Sequence, residues 1–285
     1  MKVLRADYLG FCFGVKEAIH LAEETTRCAG QVYSLGPLIH NKQTMDKLTE
    51  TGLKIVDSAD QLGHGPVLIR AHGLDPSTAA MVAEHGTEVV DATCVLVRHA
   101  QSVVKALHEE GYRVVVIGDA DHPEVQGIVG YAPDVVVVGS VGELQKLPRN
   151  GRLGVVGQTT LSQAKFAKMV GEITRRPFRE IKVVNTLCRE VDRRLEAARA
   201  LCSRVDVMFV LGGLHSANTR QLARVCHEQG VPTYHLEAWS SFRPEYVWGR
   251  RVAGVTAGAS TPDWIIDGFI ENLERLDADA LNERS

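Results

Sequence analysis

The sequence predicts an α/β fold of three pseudo-symmetric subdomains, each with a mainly parallel sheet, and three observations carry that reading. Short β-branched runs alternate with amphipathic stretches from one end of the chain to the other. One pattern occurs three times: a cysteine, then a strand ending in glycine, then a polar loop residue 28 positions after the cysteine. Cys94 aligns with Cys188, Gly118 with Gly212, His122 with Ser216 and Glu124 with Asn218, and no gap is needed. The N-terminal stretch fits the same frame, with Cys12, Gly36, His40 and Lys42. Finally, Pro76, Pro123 and Pro262 stand where a helix would begin, leaving Asp75, His122 and Thr261 just ahead of it.

The elements follow in order. KVLRA (2–6) is a strand, and a helix near 14–29 leads to the strand QVYSL (31–35) and a helix near 41–50. PVLIRA (66–71) precedes a helix near 76–85, and EVVDA (88–92) one near 95–110. RVVVIG (113–118), DVVVVG (134–139), RLGVVG (152–157), IKVVN (181–185), DVMFVLG (206–212) and RRVAGVT (250–256) continue the alternation, with helices between them. Near-continuous apolar strands of this kind belong to parallel sheets covered on both faces. With no linker-like segment, the boundaries come from the repeat: 13–94, 95–186, and 187–285 completed by 1–12.

At 285 residues and 45% hydrophobic, the chain can bury two or three small cores. A net charge of −3 without blocks of like charge gives no electrostatic footprint for nucleic acid or an anionic membrane, so a small-molecule partner is expected. Arg5 and Asp7 interrupt what would be the apolar core of a signal peptide, and no apolar run is long enough to span a bilayer. A reducing cytoplasm is the expected compartment, with cysteines reduced or metal-bound. Cys28, Cys202 and Cys226 fall in helical stretches and are expected to be small buried hydrophobes.

Cys12, Cys94 and Cys188 are different, because each heads a repeat just before a helix, where the dipole favours a thiolate. Three such thiols converging on a pseudo-axis suggest a Cys₃ metal site or an iron–sulfur cluster with one iron lacking a protein ligand. Zinc is disfavoured by the absence of a close-spaced cysteine pair. His40, His72 and His122 share the C-terminal strand edge with Ser216, Asn218 and Ser260, a set of donors suited to an anion and to phosphate in particular. Glu124 is the one carboxylate at the repeated loop position; held in a dry cavity it would have a raised pKa and serve as a proton donor. Thr159 in GQTT can orient a substrate hydroxyl or relay a proton. The remaining histidines carry no repeat position and are read as surface or core residues.

GFCFGV, IHNK, AHG, DATC, HPEVQG, QTTLS, HSANT and TAGASTPD, in that order, resemble the 4-hydroxy-3-methylbut-2-enyl diphosphate reductases (IspH or LytB family) over nearly the whole chain. The resemblance implies a trefoil of α/β subdomains around one [4Fe–4S] cluster with three cysteine ligands, Cys12, Cys94 and Cys188, and one open iron. It implies diphosphate binding by His40, His72, His122, Ser216, Asn218 and Ser260, with Glu124 and Thr159 in proton delivery and substrate positioning. The implied reaction is two-electron reductive dehydroxylation of an allylic alcohol to isopentenyl and dimethylallyl diphosphate, fed by a ferredoxin or flavodoxin. Val95, Phe13 and the run Arg189, Glu190, Val191 depart from the family pattern. Two other readings compete: a three-cysteine dehydratase of quinolinate-synthase type, which needs no external reductant, and a non-catalytic iron–sulfur sensor, which needs no anion cradle.

Overall fold

Parallel pairing dominates the fold. The computed structural model describes residues 1–85 and 88–279, and all strand pairs among these are parallel, in three four-stranded sheets. In chain order the elements are β1 (Lys2–Arg5), α1 (Phe13–Ala29), β2 (Val32–Leu35), α2 (Lys42–Glu50), β3 (Leu53–Val56), β4 (Val67–Ile69), α3 (Pro76–Glu84), β5 (Val89–Asp91) and α4 (Val95–Glu109). There follow β6 (Arg113–Ile117), α5 (Pro123–Val129), β7 (Val136–Val138), β8 (Arg152–Gly157), α6 (Gln163–Thr174), β9 (Glu180–Val183) and α7 (Arg189–Cys202). The chain closes with β10 (Val207–Leu211), α8 (Ala217–Glu228), β11 (Thr233–Leu236), β12 (Val252–Ala257) and α9 (Asp263–Asp279).

Two compact units contain these sheets. Met1–Val15, His40–Thr44 and Arg189–Ser285 form one, with the sheet β1-β12-β10-β11. Its core gathers Val207, Phe209, Leu211, Val255, Ile266, Phe269 and Leu273. Lys16–Ile39 and Met45–Cys188 form the other, with sheets β3-β2-β4-β5 and β7-β6-β8-β9. Val115, Ile117, Leu153, Val155 and Phe166 fill one face of the latter sheet, and Val104, Leu107, Val114, Val116 and Ile128 the other. Burial on both faces explains why β6 and β10 read as uninterrupted apolar runs.

Each sheet has the same wiring. The first strand of each set (β2, β6, β10) lies between its successor and the third (β4, β8, β12), and the strand leading to a cysteine (β5, β9, β1) closes the far edge. Because consecutive parallel strands need a crossover, the cysteines and polar loops all fall at strand C-termini. Within the 207–257 sheet the closing strand comes from the N-terminus, with Lys2 opposite Val252 and Arg5 opposite Val255.

Three details differ from the sequence reading. β3 and β11 were not anticipated: LKIV and TYHL are short edge strands without an unbroken β-branched run. α9 starts at Asp263 and not at Pro262, and the Thr261 hydroxyl donates to the Leu211 carbonyl inside the sheet. Cys202 and Cys226 are buried as expected, whereas Cys28 is exposed on α1.

The AHG turn depends on glycine. Gly73 has φ +75°, and a Cβ there would sit 2.6 Å from the Gln101 Nε2. Gly73→Ala is therefore expected to cost about 1–3 kcal/mol from backbone strain alone. Chemical denaturation measures it, and an unchanged midpoint would contradict the strained turn.

Candidate active site

Each of the three repeat cysteines immediately precedes a helix: Cys12 before α1, Cys94 before α4 and Cys188 before α7. Their backbone anchors match as well. The Cys12 N–H donates to the Ala259 carbonyl (3.1 Å), that of Cys94 to Ala71 (3.1 Å) and that of Cys188 to Thr159 (2.8 Å). Ala259, Ala71 and Thr159 occupy the same place in their sheets, two residues beyond β12, β4 and β8. The three thiols are thus repeat-equivalent in backbone position as well as in sequence. All three are partly buried, and no disulfide occupies them.

The polar loops use the helix N-termini that follow the first strand of each set. His122 caps α5: its Nδ1 accepts the Glu124 N–H at 3.2 Å, so a neutral ring carries its proton on Nε2. Ser216 caps α8, its Oγ accepting from the Thr219 N–H. At α2 the cap is Asn41, whose Oδ1 accepts from the backbone and the hydroxyl of Thr44, one residue after His40. The Ser260 hydroxyl donates to the His40 carbonyl at 3.2 Å, joining two loops of one unit. In the other unit the His72 and His122 rings meet edge to face, with centroids 5.7 Å apart. Asn218, 8% exposed, has a buried Oδ1 with no partner among the described residues, an amide whose bonding capacity the protein leaves unfilled.

Glu124 is a buried acid with a strongly raised pKa. It is buried at 2% exposure, with Thr159 holding both carboxyl oxygens: the Thr159 N–H donates to Oε1 (2.6 Å) and the Thr159 hydroxyl to Oε2 (2.9 Å). Burial pushes the Glu124 pKa up to about 7, and the two Thr159 bonds, which favour the charged form, only partly oppose this. The group therefore exchanges its proton near neutrality, as a general acid requires.

Thr159→Val removes the hydroxyl bond and keeps the N–H. The Glu124 pKa should move further up, so the Glu124 carboxyl titration, followed by carbon NMR, should shift to higher pH. An unshifted titration would contradict the pairing.

Two charged residues escaped the sequence reading. Arg70, two residues before His72, has its guanidinium desolvated and lying over Gly36, where a Cβ would sit 2.8 Å from Nη1. Arg194 is 2% exposed on α7. Neither follows from composition, since a lone arginine in an α/β chain is ordinarily a surface residue. The equivalence of Arg70 to Gln158, each the first residue past its strand, was the available signal.

The chain thus combines a repeated parallel α/β scaffold with one thiol before a helix in each repeat, a buried acid of raised pKa and polar side chains at helix N-termini. The model of the LytB protein family matches residues 3–274, and the chain belongs to that family. The chain is 45% identical over 280 residues to the 4-hydroxy-3-methylbut-2-enyl diphosphate reductase of Geotalea uraniireducens (98% of this chain, 99% of the relative). It is 47% identical over 277 residues to that of Pelobacter propionicus (97% and 99%). Among solved structures, it resembles an (E)-4-hydroxy-3-methyl-but-2-enyl diphosphate reductase described as the terminal enzyme of the non-mevalonate pathway, with TM-score 0.74, 37% identity and coverage of 96% and 100%. The reductase of Plasmodium falciparum superposes with TM-score 0.90 at 25% identity, covering 98% of this chain and 89% of that one. The family is iron–sulfur dependent. Among the described residues no helix is long and apolar enough to cross a membrane.

Proposed function

We propose that this chain reduces 4-hydroxy-3-methylbut-2-enyl diphosphate to isopentenyl and dimethylallyl diphosphate, with a [4Fe–4S] cluster held by Cys12, Cys94 and Cys188 and one iron left without a protein ligand. The matched anchoring of the three cysteines carries the reading: three thiols in equivalent settings, each just ahead of a helix, form a donor set suited to iron and sulfide. When bound, the cluster supplies electrons and a Lewis-acidic iron. The substrate loses its hydroxyl as water while taking up two electrons and two protons, and its diphosphate is retained.

The chain's own residues do the rest. His40, His72, His122, Ser216, Asn218 and Ser260 bind the diphosphate, which offers many charge-assisted bonds and fixes the alkene in one orientation. The Nε2–H of His122 is a ready donor to phosphate oxygen, because Nδ1 is committed to capping α5. The Thr159 hydroxyl donates to the Glu124 Oε2 at 2.9 Å; in turnover this bond reverses, the Glu124 proton passing from Oε2 to the Thr159 Oγ as the threonine hydrogen goes to the departing hydroxyl. This two-atom relay requires Glu124 to be loaded, so turnover falls as pH rises through about 7.

The electrons come from a low-potential carrier, a ferredoxin or flavodoxin, and the setting is the cytoplasm. We divide the chain at 13–94, 95–186 and 187–285 with 1–12, following the sequence repeat, so that Cys94 closes the first subdomain while Cys12 and Cys188 both belong to the third. Anaerobic incubation of holoprotein with the allylic diphosphate tests the activity. Consumption that depends on added reductant supports the reductase and excludes a dehydratase; consumption without reductant, or none, contradicts it.

A further inference from the structure

The three connections from strand to cysteine differ in length. Ala92 and Thr93 separate β5 from Cys94, and Val184–Leu187 separate β9 from Cys188, but Ala6–Phe11 separate β1 from Cys12. A longer connection has more conformations to lose in presenting its thiol. Within it Gly10 adopts φ +80° with a Cβ position only 2.7 Å from the Asp263 Oδ1, so the path is tightly prescribed.

A buried charge holds that path. Six residues after each cysteine, the following helix turns a fully packed position inward: Ala18 and Ala100, each 0% exposed, and Arg194, 2% exposed. In two repeats this site is filled with a methyl group, and in the third with a guanidinium. Arg194 Nη2 donates to the Gly10 carbonyl at 2.8 Å, and Nη1 to the Glu190 carbonyl and Oε2, both at 3.2 Å. Its Nε is buried without a partner among the described residues, and the Tyr8 ring lies 5.9 Å away. A buried ion pair contributes little stability over an apolar filling. The guanidinium is therefore better explained by what it grips: the carbonyl two residues ahead of Cys12, a span of at most about 7 Å.

We infer that Arg194 is a positioning residue for the Cys12 thiolate, locking the Gly10–Cys12 loop in its ligand-presenting conformation and bringing a fixed positive charge close to the bound cluster. The inference rests on the cluster reading above.

The test uses anaerobic holoprotein: wild type, R194M, R194K and, as control, R199M on the exposed face of α7. Iron release to a ferrous chelator, the EPR spectrum of the reduced cluster and the unfolding midpoint of the apoprotein are followed. R194M should release iron at least about tenfold faster, the worth of one charge-assisted bond, with an altered reduced-state spectrum. R194K keeps a buried cation but loses the forked donor set, so it should fall between R194M and wild type. R199M should match wild type. Wild-type release rates and spectra in both Arg194 variants overturn the inference. So does faster release with an unchanged spectrum and a matching loss of apoprotein stability, which would assign Arg194 to packing alone. If R194M does not fold, R194K decides: faster release supports the inference and a wild-type rate overturns it. Wild-type protein that takes up no iron would overturn the cluster reading itself, an outcome distinct from normal loading with unchanged release.

Discussion

Serine at any one of positions 12, 94 or 188 is expected to leave a folded protein that no longer retains a full complement of iron and sulfide and whose reductase activity falls to background. The expectation follows from equivalence. Each thiol stands before a helix, with its N–H tied to a loop two residues past a neighbouring strand, so none of the three is a spare. Serine keeps the size and the hydrogen-bonding geometry but replaces a soft thiolate with a hard, weakly acidic hydroxyl. Iron and sulfide assays with activity measured on the same anaerobic samples check it. A variant that retains both would show that its cysteine is structural. Cys28, exposed on α1, and the buried pair Cys202 and Cys226 are the internal controls, and serine at Cys28 should leave iron content unchanged.

Glu124→Gln should have the opposite signature, with the cluster intact and turnover reduced by about 10²- to 10⁴-fold, the usual worth of a positioned general acid. Glutamine is isosteric and its Oε1 can still accept the Thr159 N–H, so the loop geometry is preserved while the transferable proton is lost. Stability gives a second check. The folded pKa of about 7 lies above the ordinary value of 4.5, so the native state holds a proton the unfolded chain releases between those values. Wild-type stability should therefore fall as pH rises from about 4.5 to about 7 and then level off. The glutamine variant should lack that slope. Full activity in Glu124→Gln, or an unaltered pH dependence of unfolding, would remove Glu124 from the mechanism.

Much of this site was legible in the chain because the repeat supplied what a single sequence usually lacks, a comparison of equivalent positions. Cys12, Cys94 and Cys188 would each read as buried thiols alone, and Glu124 as an ordinary first-turn glutamate. Alternating apolar runs gave the central strands, and proline gave the starts of α3 and α5 to the residue. Edge strands β3 and β11 were hidden, since pairing on one side leaves little hydrophobic pattern. The Thr159 grip on both oxygens of Glu124 was invisible as well, because the two residues stand 35 positions apart and meet only through the pairing of β6 with β8. Arg194 was hidden for a different reason: only the packing shows that its helix position faces inward.

The central claim is that three repeat-equivalent cysteines hold one iron–sulfur cluster. Iron and acid-labile sulfide, quantified per chain in anaerobically purified protein, test it most directly. The account predicts about four of each, lost together when any one of Cys12, Cys94 or Cys188 is replaced. Protein that carries zinc or no metal under those conditions, or that keeps its iron and sulfide without one of these cysteines, would contradict it.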